Sequence, residues 1–442
     1  MTATSPQLSP HFSQRRRWAA DQAISFLMQQ GVERPHVLSL AAGLVDAASL
    51  PVTEALEAAR GVLADETKGR LALQYGTTLG DLRLREQLAR YQNGLEQSSS
   101  PIGQRTATAD EVVCTTGSQQ LLALLADALL DPGDICLVAA PTYFVFLGVL
   151  EGAGARTIAL PSDEHGLQTD ALNAELQRLE ATGELSRVKL IYVVSEFENP
   201  TGISMSLEGR RELVDIANRW SKQQRIFVLE DAAYRELHYD GPALPSVWSF
   251  DRTGETVIHA GTFSKSFSPG IRVGFGLMPQ CLREAINDLK GNQDFGSANF
   301  NQYLVTELLA SGRFGTHAEE VRTAYRVKRN AMLSAADEFF SDLPGVSWVH
   351  PAGGLYVWML LPPHVPTGFD SPLFRQAVDV EQVMYVPGEL CFAGPADQRS
   401  RNHMRLSFGV QSLDGIREGM RRLSQAVIAK PIELPEFSGL VH

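Results

Sequence analysis

Apolar, β-branched runs alternate with helical stretches through the middle of this chain, and no other feature of the sequence narrows its possible folds as far. "EVVCTTGSQQLLALLADALLDPGD" begins as a strand, turns at Gly117 and becomes a strongly apolar helix that stops at Pro132-Gly133. "DICLVAAPTY" is a second buried-type strand ending at a proline, and further strands are expected over Val188–Ser195, Arg225–Asp231, Thr256–Ser264 and Arg272–Pro279. Between several of them lie helical stretches such as "SLEGRRELVDIANRWSKQ", which Ser206 opens as a cap. Strands this uniformly apolar, separated by helices, predict an α/β fold, a mostly parallel sheet covered on both faces.

The texture changes after Phe314. A long helical run, "THAEEVRTAYRVKRNAMLSAADEFF", leads to short strands in "VSWVHPAGGLYVWMLLP", "VMYVPGEL" and "HMRLSFGV" and to a closing helix from Ser412 to Ala429, which together predict an α+β unit. The N-terminal part reads as a helix from Ser13 to Gln30, a short strand and glycine-containing loop over Leu38–Pro51, and a helix across Val52–Asp65. The expected division is residues 1–50 as a helix and segment completing the small unit, 51–313 as the large domain and 314–442 as the small domain. The stretch "KPIELPEFSGLVH" reads as a loosely held tail.

Charge narrows the partners. A net charge of −12 argues against nucleic acid or an anionic membrane, both of which select basic faces, and leaves a small molecule as the expected ligand. Cys114, Cys136, Cys281 and Cys391 lie far apart with no CxxC pair, so they read as reduced core thiols and not as a disulfide framework or zinc site. The N-terminal "MTATSPQLSPHFSQRRRWAADQ" lacks the apolar run of a secretory signal, and no segment approaches the ~20 apolar residues of a membrane helix. A cytoplasmic protein is expected.

Ligands of open α/β sheets bind beyond the carboxyl ends of the strands. The polar residues that follow the expected strands are Gly117-Ser118-Gln119, Tyr143, Asn199, Asp231 with Tyr234, and Thr262, Ser264 and Lys265 with Arg272. Each alone has a plain reading: Asn199-Pro200 is a turn, Asp231 a cap, Gly117-Ser118 an N-cap. Together they answer one chemical requirement. The helix opening at Ser118 offers free amides and a positive dipole end to an anion, and the hydroxyls of Thr262 and Ser264 with Arg272 complete a phosphate cup. A lysine amine in a partly desolvated, cationic pocket loses proton affinity and becomes a nucleophile for aldehydes. A phosphate cup beside such a lysine, Lys265, implies pyridoxal 5′-phosphate.

The ordered blocks "LSLAAGLVDAASLP", "LQYGTTLGDLRLREQLA", "TTGSQQLL", "PTYF", "FENPTGISMSLEGRRELVDIA", "LEDAAYREL", "GTFSKSFSPGIRVGF", "PAGGLYVWMLLP", "YVPGELCF" and "MRLSFG" span nearly the whole chain. In them the sequence resembles the fold-type-I, class I/II pyridoxal-phosphate aminotransferases, and within these the 2-aminoadipate/kynurenine subgroup. The resemblance implies the aspartate-aminotransferase-like fold, with a large mostly parallel-sheet domain and a smaller α+β domain. It implies that Lys265 forms the Schiff base, Asp231 pairs with the pyridinium nitrogen, Asn199 and Tyr234 bond the ring phenolate oxygen, and Tyr143 covers the ring. Ser118, Gln119, Thr262, Ser264 and Arg272 would surround the phosphate, joined by Tyr75 from the neighbouring subunit of a homodimer. Arg405 would grip the substrate α-carboxylate, with Gly43 and Asn199 beside it. Relatives often read Pro-x-Phe-Gln-Asn-Pro where this chain has "SEFENP", so Ser195 and Glu198 are unusual neighbours for Asn199, and Ala232-Ala233 stands where many carry Asp-Pro.

The implied activity moves the α-amino group of an L-amino acid, of 2-aminoadipate, aromatic or branched-chain type, to a 2-oxo acid such as 2-oxoglutarate. The same constellation would also serve a β-lyase, decarboxylase or racemase, because the outcome depends on which Cα bond lies perpendicular to the ring. A pyridoxal-phosphate-sensing regulator would need a DNA-binding domain, and fewer than about 40 residues precede the "LSLAAG" block. Arg15, Arg16 and Arg17 could meet an acidic substrate side chain if the N-terminal helix lies over the site; a solvated helix face is the plainer reading.

Overall fold

The computed structural model describes residues 11–19, 23, 27, 29, 33, 34, 36–99 and 105–429. Its strands are β1 (Leu38–Ser39), β2 (Val112–Thr115), β3 (Ile135–Ala140), β4 (Arg156–Asp163), β5 (Gly166–Leu167), β6 (Val188–Val194), β7 (Phe227–Asp231), β8 (Val257–Thr262), β9 (Gly274–Leu277), β10 (Ser347–Trp348), β11 (Tyr356–Leu360), β12 (Val383–Met384), β13 (Val386–Pro387) and β14 (His403–Ser407). Eight of them form one sheet in the order β2-β9-β8-β7-β6-β3-β4-β5. The run β8-β7-β6-β3-β4 is parallel throughout, and β9 lies antiparallel between β2 and β8.

Every residue of β7 and β8 is buried. Successive side chains point to opposite faces, so Ile135, Leu137 and Ala139 of β3 enter one apolar core while Cys136 and Val138 enter another. That two-sided burial is why these strands read as unbroken apolar runs. Cys114, Cys136 and Cys391 are buried free thiols as expected, but Cys281 is exposed in the first turn of the helix Gln280–Asp294 and is no core thiol. The strand β4 is not anticipated from the sequence. Exposed and half-buried positions alternate irregularly along it, so Arg156–Asp163 carries neither an apolar run nor a clean two-residue period.

The C-terminal part forms an antiparallel sheet, β10-β11-β14-β13, beside the 28-residue helix Arg313–Phe340 and the closing helix Leu413–Ile428. The N-terminal β1 pairs in parallel with β12, Leu38 opposite Val383. One of the two large cores runs on without a break from the big sheet into this unit, through Tyr356, Val357, Met404 and Leu406. The expected N-terminal helix is described as helical over Gln14–Trp18, where Ser13 Oγ accepts the Arg16 amide at 3.2 Å; parts of its expected continuation, and the tail from residue 430, lie outside the described residues. Among the described residues no helix is long and apolar enough to cross a membrane.

Candidate active site

A cavity of about 300 Å³ opens at the carboxyl ends of β6, β7 and β8, between the large sheet and the small one. At one end β2 turns through Gly117, whose φ of 75° favours glycine, into the helix Ser118–Leu129, and no side chain caps that helix. The Arg272 guanidinium closes over this turn: a Cβ on Gly117 would stand 2.5 Å from Arg272 Nη2. Arg272 is itself left-handed, at φ 49°, ψ 48°. Thr262 Oγ1 donates to Ser264 Oγ at 3.0 Å beside it. Uncapped amides, two hydroxyls and a guanidinium thus converge around a glycine cradle, a donor set suited to phosphate.

At the floor, Asp231 ends β7. Tyr192 in β6 donates its hydroxyl to Asp231 Oδ2 at 3.0 Å, and the Ala233 amide donates to Oδ1 at 3.1 Å. Burial pushes this carboxyl up to about 6, against the pull of those two donors. Its sequence neighbour Glu230 points to the opposite face of the sheet. There Ser195 Oγ and the Val247 amide donate to Glu230 Oε1 at 2.7 and 2.8 Å, while the Trp248 amide and His259 Nδ1 meet Oε2 at 3.0 and 2.9 Å. Burial alone would raise Glu230, but the bond and charge of His259, then Ser195 and the charge of Arg210, hold it down to about 2. Ser195, unusual at its position, therefore serves the carboxylate behind the site and not the cavity.

Lys265 follows β8, and its Nζ donates to the Gly43 carbonyl at 2.6 Å. Gly43 has no room for a side chain, since a Cβ would meet the Tyr356 hydroxyl at 2.7 Å. Arg405, in β14, donates from Nη1 to Asn199 Oδ1 and from Nη2 to the Ala41 carbonyl, each at 2.8 Å. Its Nε is buried without a partner. A guanidinium clamped by two fixed acceptors still has three of its five N–H donors free of these bonds, and is a preorganised receptor for a carboxylate. Tyr143 stands at the wall, 3.5 Å from Gln119 Oε1, with its phenol raised by burial.

Of the residues singled out from the sequence, Gly43, Ser118, Gln119, Tyr143, Asn199, Asp231, Tyr234, Thr262, Ser264, Lys265, Arg272 and Arg405 all line this one cavity. Tyr75 does not. It is 85% exposed and meets Phe295 edge-on, with ring centroids 6.5 Å apart. Nor do Arg15, Arg16 and Arg17 reach the cavity; Arg15 pairs with Asp127 on the outer side of the helix Ser118–Leu129.

The family model of the class I and II aminotransferases matches residues 35–423, most of the chain. The chain is a class I and II aminotransferase. The fold is that of the fold-type-I enzymes, and the cofactor of this aminotransferase is pyridoxal 5′-phosphate. The enzyme is 34% identical to aromatic-amino-acid aminotransferase 1 of Thermococcus litoralis over 90% of this chain and 89% of that one. It is 37% identical to the 2-aminoadipate transaminase of Thermus thermophilus over 89% and 91%. A solved structure, the α-aminoadipate aminotransferase LysN of Thermus thermophilus with N-(5′-phosphopyridoxyl)-L-leucine, superposes with a TM-score of 0.80 at 34% identity, covering 94% of this chain and 97% of that one.

Two tyrosines of the aminotransferase site escape the sequence reading. Tyr192 and Tyr356 lie inside apolar strands, where a tyrosine resembles any core aromatic; the available signal is that a buried phenol hydroxyl needs a partner. Glu198, the other unusual neighbour of Asn199, is buried, accepts one hydrogen bond from Thr201 Oγ1 at 2.9 Å, and is pushed up to about 8 by desolvation.

Proposed function

We propose that this aminotransferase transfers the α-amino group of an L-amino acid with a long or aromatic side chain, of 2-aminoadipate, aromatic or branched-chain type, to a 2-oxo acid such as 2-oxoglutarate. The observation that carries the reading is the meeting of Arg405, clamped by Asn199 and the Ala41 carbonyl, with Lys265 and Asp231 in one cavity. When bound, pyridoxal 5′-phosphate supplies an aldehyde for the amino group and a ring that takes up electrons from the breaking Cα–H bond.

The chain's own residues supply the rest. Arg405 would take the α-carboxylate by a planar contact and fix which Cα bond faces Lys265. Lys265 would hold the cofactor and, once freed, carry the proton off Cα as general base. Asp231, largely ionised at neutral pH even when raised to about 6, would keep the ring nitrogen protonated. Asn199 and Tyr234 would donate to the ring oxygen, Tyr143 would cover the ring, and Ser118, Gln119, Thr262, Ser264 and Arg272 would hold the phosphate. Phe144, 5.7 Å from the Arg405 guanidinium, favours bulky apolar side chains next to the carboxylate clamp.

The reading includes a homodimer. Leu73, Tyr75 and Phe295 lie together with their side chains exposed, and a partner seated there would bury them while receiving the tyrosine. It also divides the chain at residues 50 and 313, with β1 lying on β12. The test is a donor panel of 2-aminoadipate, glutamate, leucine, phenylalanine and kynurenine with cofactor-loaded protein. Donor alone should convert the visible spectrum to that of the amine form, and turnover should require an added 2-oxo acid. Turnover without any acceptor would replace transamination by lyase, decarboxylase or racemase chemistry.

A further inference from the structure

The hydroxyl of Tyr356 lies 3.1 Å from that of Tyr234, with the two rings edge-to-face at 77° and 5.7 Å. Tyr356 belongs to β11 of the small sheet, whereas Tyr234 follows β7 of the large one. The Tyr356 ring is 1% exposed and carries the Arg405 guanidinium over its face at 4.3 Å. Gly43 leaves the space its hydroxyl occupies, and the Gly43 carbonyl takes the Lys265 amine at 2.6 Å. If packing under Arg405 were its only task, a phenylalanine would avoid burying a hydroxyl. The hydroxyl points instead at the one tyrosine placed to bond the cofactor's ring oxygen.

We propose that Tyr356 is a positioning residue that donates its hydroxyl proton to the Tyr234 oxygen, turning the Tyr234 proton toward the cofactor and strengthening it as a donor. The proposal rests on the functional reading above, in which Tyr234 meets the ring oxygen. The charged and titratable groups facing the pair include Arg405 from β14, Lys265 after β8, Tyr143 at the head of the helix Phe144–Gly152, Tyr325 from the helix Arg313–Phe340, and Cys391. Burial would raise both phenols, and it does raise Tyr234; at Tyr356 the charges of Arg405 and Lys265 overcome it and lower the proton affinity. A phenol has one proton to give, so once Tyr234 gives its own to the ring oxygen the bond between the two hydroxyls has to be donated by Tyr356, a direction that the guanidinium of Arg405 over the Tyr356 ring favours. Asn199 Nδ2, 3.5 Å from the Tyr234 oxygen, approaches the same acceptor from the large-domain side. Hydrogen bonds in a chain polarise one another, so the Tyr356 bond makes Tyr234 a stronger donor to an anionic ring oxygen. A better-stabilised anion lowers the pH at which the cofactor's linkage to Lys265 loses its proton.

The test is a visible-absorbance pH titration of cofactor-loaded wild-type, Tyr356→Phe, Tyr234→Phe and doubly substituted protein. Tyr356→Phe keeps the ring under Arg405 and deletes only the hydroxyl. Its midpoint should rise by about 0.5 pH units, a threefold gain in proton affinity equivalent to about 0.7 kcal/mol. Adding Tyr356→Phe to Tyr234→Phe should move the midpoint no further, because the relay is already cut. A Tyr356→Phe midpoint equal to wild type, or an equal shift on the Tyr234→Phe background, overturns the relay; a purely packing role would change thermal stability and leave the midpoint alone. Wild-type protein that titrates while Tyr356→Phe tracks it refutes the relay only, whereas wild-type protein that stays colourless overturns the functional reading and the relay with it.

Discussion

Replacing Glu198 by glutamine exchanges a buried acid for the residue that relatives often carry at this position. Glu198 is 5% exposed and has a single hydrogen-bond donor, Thr201 Oγ1. Desolvation therefore raises it from an ordinary 4.5 to about 8, with Thr201 opposing weakly. A carboxyl whose folded value lies above its unfolded one contributes its stability fully below pH 4.5 and loses it as pH rises toward about 8. Each pH unit in that window is worth ~1.4 kcal/mol, so by pH 7 the folded chain has given up about 3 kcal/mol at this one site. Glutamine keeps an acceptor for Thr201 and never ionises. Denaturant unfolding of wild-type and Glu198→Gln protein, both saturated with cofactor and at equal concentration, should give a stability difference near its minimum at pH 5 that grows in favour of the variant up to pH 8. A difference that stays level across this range would mean that Glu198 is solvated or paired in solution, and the account of its burial would fail.

Arg405→Lys keeps the cation and loses the planar pair of donors; removal of one charge-assisted bond of 1.5–3 kcal/mol predicts kcat/KM lower by about 10- to 150-fold with the cofactor still bound. An equally strong loss of cofactor binding would instead place Arg405 in the cofactor's holding set. Glu230 shows the opposite sign to Glu198: held down to about 2, it stabilises the fold above pH 4.5 and loses that contribution as pH falls toward 2. Glu230→Gln should therefore cost about 3 kcal/mol at pH 7 and unfold with a shallower acid limb, read by denaturant titration at pH 7 and pH 3. Tyr75→Phe, at a site 85% exposed, should leave unfolding of the chain itself alone yet weaken cofactor binding at least about tenfold in equilibrium dialysis; a change below twofold would remove Tyr75 from the partner's phosphate site.

What the sequence makes legible follows from how each residue is held. The strands β3, β6, β7 and β8 announce themselves because both their faces are buried, and the polar residues at their carboxyl ends stand out against that background; the cavity gathers Tyr143, Asn199, Asp231, Tyr234, Thr262, Ser264, Lys265 and Arg272, whereas Tyr75 and Arg15 to Arg17, which no such strand positions, lie outside it. β4 stays hidden because its partial exposure erases the pattern. Tyr192 and Tyr356 stay hidden for the reverse reason, their polar atoms being carried inside apolar strands and their partners, Asp231 and Tyr234, lying 39 and 122 residues away. Glu230 and Asp231 mark the limit most sharply. In the sequence they are two adjacent acids ending one strand, chemically near-equal. The pleat sends them to opposite faces, where His259, Ser195 and two amides hold one at about 2 while a phenol and a single amide leave the other to rise to about 6. Which of the two faces the cavity is decided by the face of the sheet, and a one-residue slip of β7 against β8 that put Asp231 opposite His259 would put Ala232 opposite Ala260 and leave that place at the cavity without a carboxylate.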